Sequence, residues 1–178
     1  MTKLNSKMVK QIEDTINHKK LFMDSANLLF KMLVRIGEDE MAIALIRRAA
    51  VHDNSKFSLE EIDALSKIAD KQEKDDGFTN PDYKLNNEQL DLISIHWKNN
   101  RHHPEHFDSV YDMTTLDVLE MVCDWHARSV EFGTDLIEFV EHRQKNRFHF
   151  PPELFDSILR LCKLMVAVSH EGKLKKTQ

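Results

Sequence analysis

Apolar residues recur at intervals of three and four along most of the chain, which is the period of an amphipathic α-helix. The first such stretch begins after Asn5 or Ser6, either of which can cap a helix, and runs to about Ile36, where Gly37 predicts its end. His18 lies on the apolar face of this helix. We therefore expect its side chain to point into the protein interior.

The same period predicts further helices, separated by short polar connections. Capping boxes at residues 58–61 and 114–117 mark the starts of two of them, and paired prolines mark the start of the last. The predicted helices cover about residues 39–52, 58–71, 87–98, 114–132, 135–143 and 151–170. Residues 72–84 are predicted to form a flexible excursion and residues 99–113 a loop. The sequence thus predicts an all-α bundle of about six or seven helices, with residues 1–178 as one domain.

Composition narrows the class of protein. The 178 residues suit one domain, and 41% apolar with 31% charged residues is typical of a soluble globular protein. A net charge of −5 gives no electrostatic reason to expect nucleic-acid binding. No signal peptide and no membrane-spanning run is evident, so we expect a cytoplasmic protein. Cys123 and Cys162 lie in apolar helical runs and are expected to be buried, reduced thiols.

Histidine and aspartate residues are arranged as in metal sites. His52 and Asp53 are adjacent at a predicted helix end, and four of the ten histidines fall within residues 96–106. Imidazole with carboxylate, and without thiolate, favours Mn, Fe, Co or Zn in a site with an open position over structural zinc. One or two ions per chain fit the number of candidates. The candidate ligands are His18, His52, Asp53, His96, His102, His103 and Asp124.

Each candidate also has a simpler interpretation. An inward His18 is commonly a core histidine bonded to a backbone carbonyl, and His52-Asp53 could be no more than a helix end. Not every histidine of the 96–106 segment need bind metal, and His106 is the weakest of them. Asp124 aligns with other acids in what could be a solvated stripe, but both flanks of its helix are apolar. At least one of these carboxylates therefore needs a buried partner.

Cationic and planar side chains border the same region. Lys56 follows Asp53 by three residues and would share a stripe with His52 if the second helix continued that far. It could hold a phosphate oxygen as a point charge, or be a solvated lysine. Arg101, Asn100 and Trp97 could bind a phosphate or stack on a base, although Trp97 is equally explained as a packing anchor.

The ordered set of residues resembles the HD-domain superfamily of metal-dependent phosphohydrolases. That family has a His on an early helix, an adjacent His-Asp at a helix end and a later Asp, which His18, His52-Asp53 and Asp124 match in order. The added histidines resemble its binuclear branch. The segment around residues 96–106, with 120–125, looks like a poorly characterised group of HD-like proteins from bacteria and phages. The resemblance covers residues 18–124, about 60% of the chain.

Residues 52–56 also resemble the His-Asp-x-Gly-Lys motif of the HD-GYP cyclic-dinucleotide phosphodiesterases, with Ser55 in place of Gly. The Gly-Tyr-Pro motif itself is absent, so this likeness does not extend to the substrate. The nucleotidase branch often has an acid a few residues after its His-Asp, where this chain has Lys56. His96 also lies closer to His102 than the comparable ligand positions usually are. Either His96 or the His102-His103 pair could therefore be the true ligands.

The resemblance implies an HD-like bundle with a metal-site region at about residues 18–124, completed by C-terminal helices at about 134–170. It also implies hydrolysis of a small phosphoester, such as a nucleotide, by a metal-activated water. His18, His52, Asp53 and Asp124 would hold one ion, and the remaining histidines would complete or hold a second with Asp53 as a bridge. Asp53 and Lys56 would be the catalytic residues.

Three alternatives stay open at the level of sequence. A pocket of this kind could bind a nucleotide or a protein partner without turnover. Some HD-like folds carry di-iron centres that activate oxygen instead of water, and the ligand set resembles theirs too. The amphipathic last helix could pack within the chain or against a second copy, as in a homodimer.

Overall fold

Seven α-helices make up most of residues 4–74 and 84–174, the part of the chain that the computed structural model describes. No strand occurs within these two segments, and the all-α bundle that the sequence predicts is confirmed. Of the excursion predicted at residues 72–84, residues 72–74 continue the third helix and residues 75–83 lie outside the described part. The helices are α1 (Ser6–Arg35), α2 (Asp39–Val51), α3 (Leu59–Lys74), α4 (Asn87–Asn99), α5 (Thr115–Phe132), α6 (Leu136–Arg143) and α7 (Pro152–Leu174).

Local capping explains where the two helices that carry most of the site begin and end. The Asn5 side chain accepts a hydrogen bond from the Met8 backbone N–H at 3.0 Å and so caps α1. Gly37 follows the end of α1 with a left-handed φ of 82°. The capping box at Thr114 and Asp117 forms in full at the start of α5. These ends agree with the sequence prediction.

The second helix ends within one residue of the predicted position. It stops at Val51, His52 caps it, and Asp53 takes a left-handed conformation with φ of 56°. A 3₁₀ turn, Asn54–Phe57, then returns the chain to the interior and buries Lys56. The predicted stripe through His52 and Lys56 is therefore made by a kink and a short turn, and not by one continuous helix.

The core lies around α1, which packs against α2, α3, α5 and α7. Cys123 and Cys162 are both buried and free, as expected. Among the described residues, no helix combines the length and apolar character needed to cross a membrane. Within the described segments, the fully buried large apolar side chains are Phe22, Leu29, Leu45, Met121, Val122, Val140, Ile158 and Met165.

The predicted loop between α4 and α5 contains two 3₁₀ turns, Pro104–His106 and Val110–Asp112. It is fastened from outside by Arg147, which donates to Glu105 at 2.8 Å and lies over the Trp97 ring at 5.1 Å. Arg147 belongs to a π-helical turn, Gln144–Phe148, that extends α6. This contact fixes the loop segment that carries His102 and His103.

Candidate metal centre

Four of the predicted ligands form one buried group on α1, α5 and the end of α2. The His18 Nε2 atom lies 2.9 Å from Asp124 Oδ1 and 3.8 Å from Asp53 Oδ2. The His52 Nε2 atom lies 3.5 Å from Asp53 Oδ2 and 3.7 Å from Asp124 Oδ1. The ligand atoms of all four side chains lie within 4.8 Å of one another, a spacing at which they could hold a metal ion. We call these four residues the first group.

The three remaining predicted histidines form a second group beside the first. His96, His102 and His103 offer ring nitrogens that also lie within 4.8 Å of one another. The Nε2 atoms of His96 and His103 are only 2.9 Å apart. This is about the separation of two ligands at 90° to each other on one six-coordinate ion with bonds of roughly 2.1 Å. The structure therefore brings His96 together with the His102-His103 pair, which the sequence had left as alternatives.

Asp53 lies between the two groups and presents one oxygen to each. Its Oδ2 faces His18 and His52, while its Oδ1 lies 3.6 Å from the Nε2 atoms of both His96 and His102. The side chain is 1% exposed. The left-handed backbone at this position is rare outside glycine, asparagine and aspartate, and it is the kind of outlier that clusters at functional sites.

Glutamates lie against the outer ring nitrogens of these histidines. Glu131 lies 3.3 Å from His18 Nδ1, and Glu120 lies 3.0 Å from His52 Nδ1. Glu120 also lies 3.5 Å from His102 Nδ1. The fourth such contact joins Glu61 to His96 Nδ1 at 3.0 Å.

The buried charges perturb the pKa values of three side chains, Asp53, Asp124 and His52. Burial opposes ionisation of Asp53, but the Lys56 ammonium and the neighbouring imidazoles hold its pKa well below the usual range. Burial likewise opposes ionisation of Asp124. Hydrogen bonds from His18 and His52 nevertheless hold the pKa of this carboxyl well below its usual range. Burial alone would lower the pKa of His52. The charge of Asp53 and hydrogen bonds with Asp124 and Glu120 outweigh this effect and raise the pKa of His52 to about 9. A metal ion bound here would replace the His52 proton.

Two histidines of the second group, His96 and His103, have lowered pKa values. Burial, followed by the imidazoles of His102 and His96, lowers the pKa of His103 well below its usual value. Burial and the Lys56 charge lower the pKa of His96, against the opposing hydrogen bond to Glu61. Neutral imidazoles are the form in which histidine binds metal, so the lowered pKa values of His96 and His103 favour binding of an ion there.

Two lysines bring positive charge to the centre. The Lys56 Nζ lies 2.6 Å from Asp53 Oδ2 and is buried. Lys19, next to His18 on α1, donates to the His52 carbonyl and to the Asn54 side chain at 2.8 Å. The solvated alternative considered for Lys56 does not fit this burial.

Arg48 supports Glu120 from behind. Its guanidinium contacts Glu120 Oε2 at 2.7 Å and Asp117 Oδ1 at 2.6 Å. Arg101 binds the same Asp117 through two nitrogens, at 3.2 and 3.0 Å, and lies over the Phe107 ring. The acids of α5 are therefore partnered side chains, and the solvated stripe considered for them is not what the structure shows.

A pocket of about 210 Å³ opens beside His52, His102 and Glu120. Its other lining residues are Arg48, Val51, Asn99, Asn100 and Arg101. The pocket therefore reaches these histidines from the Glu120 side, and neither Asp53 nor Asp124 lines it.

The other predicted binding residues have protein partners. The Asn100 amide donates to Ser55 Oγ at 2.8 Å and to the His96 carbonyl at 2.8 Å. Trp97 carries the Arg147 guanidinium over its ring, and its carbonyl lies 3.3 Å from His106 Nδ1. His106 therefore lies outside both groups, as the sequence indicated.

Unsatisfied buried atoms provide a test of whether these residues fit an ion. The Nε2 atoms of His52 and His102 and the Oδ1 atom of Asp53 make no hydrogen bond with any described residue, and the polar contacts around them are 3.5 Å or longer. Leaving such an atom unsatisfied costs about 1–3 kcal/mol, so a group of them requires a cause. These three atoms lie among the ligand atoms of the two groups, and the side chains thus fit a metal ion.

Sequence reasoning missed several residues of the site. Glu61 had an adequate local role in the capping box at residues 58–61, and nothing near it in sequence indicates its contact with His96. Arg48 had a signal, since it lies one helical turn before His52 and shares its face. Lys19 adjoins a predicted ligand, but a lysine at a surface-facing position of a long helix is ordinarily solvated, so it gave no signal.

Comparison with known proteins identifies a family. No curated protein and no solved structure matches the chain. The match to a family of unknown function, DUF5662, covers residues 7–161 and so includes both groups of ligands. The chain belongs to this family.

Proposed function

We propose that the centre holds two divalent transition-metal ions, with Mn, Fe, Co or Zn suited to its donors. The first group offers two imidazoles and two carboxylates, and the second offers three imidazoles beside Asp53. Both are suitable ligand sets for such ions. The single observation that carries the proposal is that the two oxygens of the Asp53 carboxylate face different groups of histidines. Its two oxygens face separate groups at 3.5 to 3.8 Å, as a bridging ligand requires.

The activity that this centre supports best is hydrolysis of a phosphoester in a nucleotide or another small phosphorylated molecule. Paired ions at such a site activate water for attack on phosphorus and neutralise charge on the phosphate. The order of His18, His52-Asp53 and Asp124 along the chain resembles the HD-domain superfamily, and the all-α bundle is compatible with that likeness. The matching family is of unknown function, so the family match does not itself indicate an activity.

Lys56 is the residue to which we assign contact with the phosphate. Its ammonium reaches the same Asp53 oxygen that faces the first group, at 2.6 Å. A phosphate bound at that point would lie within reach of a flexible, positively charged side chain. Lys19 lies on the same side of His52 and adds positive potential that would attract an anion. Arg101 is already bound to Asp117, and we assign it a weaker part in substrate binding.

The test is metal content and phosphoester hydrolysis measured on the same preparation. Protein purified without chelators would be analysed by elemental mass spectrometry and assayed on a panel of nucleotides and simple phosphomonoesters. Asp53→Asn is the test variant, because asparagine tolerates the left-handed backbone while its amide is a poor bridging ligand. Asp63→Asn on the surface of α3 is the matched control.

We expect two ions per chain and hydrolysis in the native protein and in the control, with both lost in Asp53→Asn. Absence of metal, with none taken up on addition, would contradict the proposal. Two ions without turnover of any phosphoester would leave a binding protein. Bound iron with oxygen consumption would instead indicate the di-iron oxygenase alternative.

A further inference from the structure

The four innermost histidines share a feature that extends beyond the ligands themselves. Each turns its Nε2 atom toward Asp53 or Asp124 and has a glutamate oxygen against its Nδ1 atom. The contacts of His52 and His96 are hydrogen bonds of 3.0 Å. Those of His18, at 3.3 Å, and His102, at 3.5 Å, are ion-pair contacts without hydrogen-bond geometry in the metal-free protein.

A carboxylate at Nδ1 has a definite effect on a metal-binding imidazole. It accepts the Nδ1–H, so the lone pair lies on Nε2, and it fixes the rotation of the ring. Stacking of the His52 ring on Phe22, at 3.5 Å between centroids and 5° between planes, fixes the same ring further. The outer glutamates thus determine how well each imidazole is directed at its ion.

The glutamates are divided unequally between the two groups. Glu131 contacts only the first group, through His18, and Glu61 contacts only the second, through His96. Glu120 contacts His52 of the first and His102 of the second. We infer that these three glutamates are positioning residues of the metal centre, with Glu131 serving one ion, Glu61 the other, and Glu120 linking the two. This inference rests on the metal centre of the proposed function.

The sequence context of Glu61 supports a role outside its own helix. Ser58 accepts from the Glu61 backbone N–H at 3.2 Å, which is half of a capping box. The Glu61 side chain does not complete the box and instead binds His96 and the Asn99 amide, the latter at 2.7 Å. The Ser58 backbone N–H, which the Glu61 side chain would accept from in a complete box, donates instead to the Ser55 carbonyl at 2.8 Å. Its position is explained by the imidazole.

Glu120 admits a competing interpretation, because His52, His102 and Glu120 could themselves hold a third ion. Arg48 argues against it. The guanidinium already neutralises Glu120 at 2.7 Å and is itself held by Asp117. A further cation beside Arg48 would be repelled, whereas an outer carboxylate anchored by an arginine is well suited to orient two rings.

Titration of the metal-free protein with Co²⁺ tests the inference, with bound metal measured by equilibrium dialysis and by visible absorption. The variants are Glu61→Gln, Glu131→Gln and Glu120→Gln, and Glu60→Gln is the matched control because Glu60 is the exposed neighbour of Glu61. His18→Ala and His96→Ala assign the absorption of each ion. Melting of the metal-free variants reports any purely structural role, and the partly exposed Glu131 provides a variant that the fold tolerates.

We expect the native protein and Glu60→Gln to bind two Co²⁺ per chain. Glu61→Gln should weaken only the second ion and Glu131→Gln only the first, each by about 10- to 100-fold, and Glu120→Gln should weaken both. Native affinities in Glu61→Gln and Glu131→Gln would overturn the inference. Binding of three Co²⁺ per chain, with one lost in Glu120→Gln, would also overturn it. Equal weakening of both ions in every variant, together with a lower melting temperature of the metal-free protein, would do the same.

The outcome is separable from the proposed function. Two bound ions with the expected pattern, but no hydrolysis of any phosphoester, would support the positioning role and contradict only the hydrolase. A native protein that binds no Co²⁺ would overturn both.

Discussion

At the scale of single residues, Lys56 illustrates how burial changes an interpretation. A lysine three positions after a candidate ligand is by itself uninformative, but here it is buried and bound to Asp53 Oδ2 at 2.6 Å. In the metal-free protein this pair partly neutralises the carboxylate. With ions present, we expect the ammonium to act on the phosphate.

The first prediction therefore concerns Lys56→Met, which keeps the length and apolar stem of the side chain. Turnover should fall by about 10²- to 10³-fold, as when one preorganised electrostatic group is removed, while two ions are retained. Steady-state kinetics and metal content measured together would check this, with the exposed Lys67→Met as the control. Full activity in Lys56→Met would remove Lys56 from the mechanism.

Residue types show how much of the site could be read from the sequence. His18, His52-Asp53 and Asp124 follow a recognisable order, and the structure brings these four together in one group. Glu61 could not be assigned, because its distance of 35 positions from His96 leaves no periodic signal and its capping role was sufficient locally. Outer carboxylates of this kind depend on the packing of separate helices, which no local pattern encodes.

At the scale of elements, helix α5 depends on Asp117. Burial opposes ionisation of this carboxyl, but hydrogen bonds from Arg101, Thr114 and Arg48 lower its pKa from 3.8 to about 2. Because the folded pKa is the lower one, the ionised group stabilises the fold above about pH 4. That contribution is lost as the pH falls from about 4 to about 2.

The second prediction follows for Asp117→Asn, whose amide resembles the protonated acid. Near pH 7 the variant should lose about 2 kcal/mol of unfolding free energy, since each pKa unit corresponds to about 1.4 kcal/mol. Urea unfolding across pH 2–7 should show the native and variant curves converging below about pH 4. Asp63→Asn, on the half-exposed surface of α3, should change little at any pH. Parallel curves for native protein and Asp117→Asn would contradict the assignment.

Helix positions were predictable because the apolar period and the capping residues agree over most of the chain. The sequence left open whether the second helix, predicted to end at about His52, would continue its turn toward Lys56. The left-handed φ of 56° at Asp53 ends it instead, and nothing in local propensity requires that conformation of an aspartate. This end of the helix lies at the centre of the site, where tertiary contacts determine the backbone.

At the scale of the whole molecule, the centre buries ionised carboxylates and cations between α1, α2 and α5. Such groups contribute little to stability unless their mutual attraction exceeds the cost of desolvation. The unsatisfied Nε2 atoms of His52 and His102 and the Oδ1 atom of Asp53 indicate that the metal-free protein bears part of this cost. Ions that bind only the native state would recover it, and the stability of the entire bundle should therefore depend on metal.

The last prediction is that chelation lowers the melting temperature of the native protein by on the order of 10 °C. Free metal at about a thousand times its dissociation constant adds about 4 kcal/mol to the native state, and each kcal/mol shifts melting by about 2–4 °C at this chain length. Calorimetry with and without added Mn²⁺ or Zn²⁺ would measure the shift. It should persist in Asp63→Asn and vanish in Asp53→Asn, because only the latter removes the bridge between the two groups. An equal shift in Asp53→Asn would place the stabilising ions elsewhere on the chain.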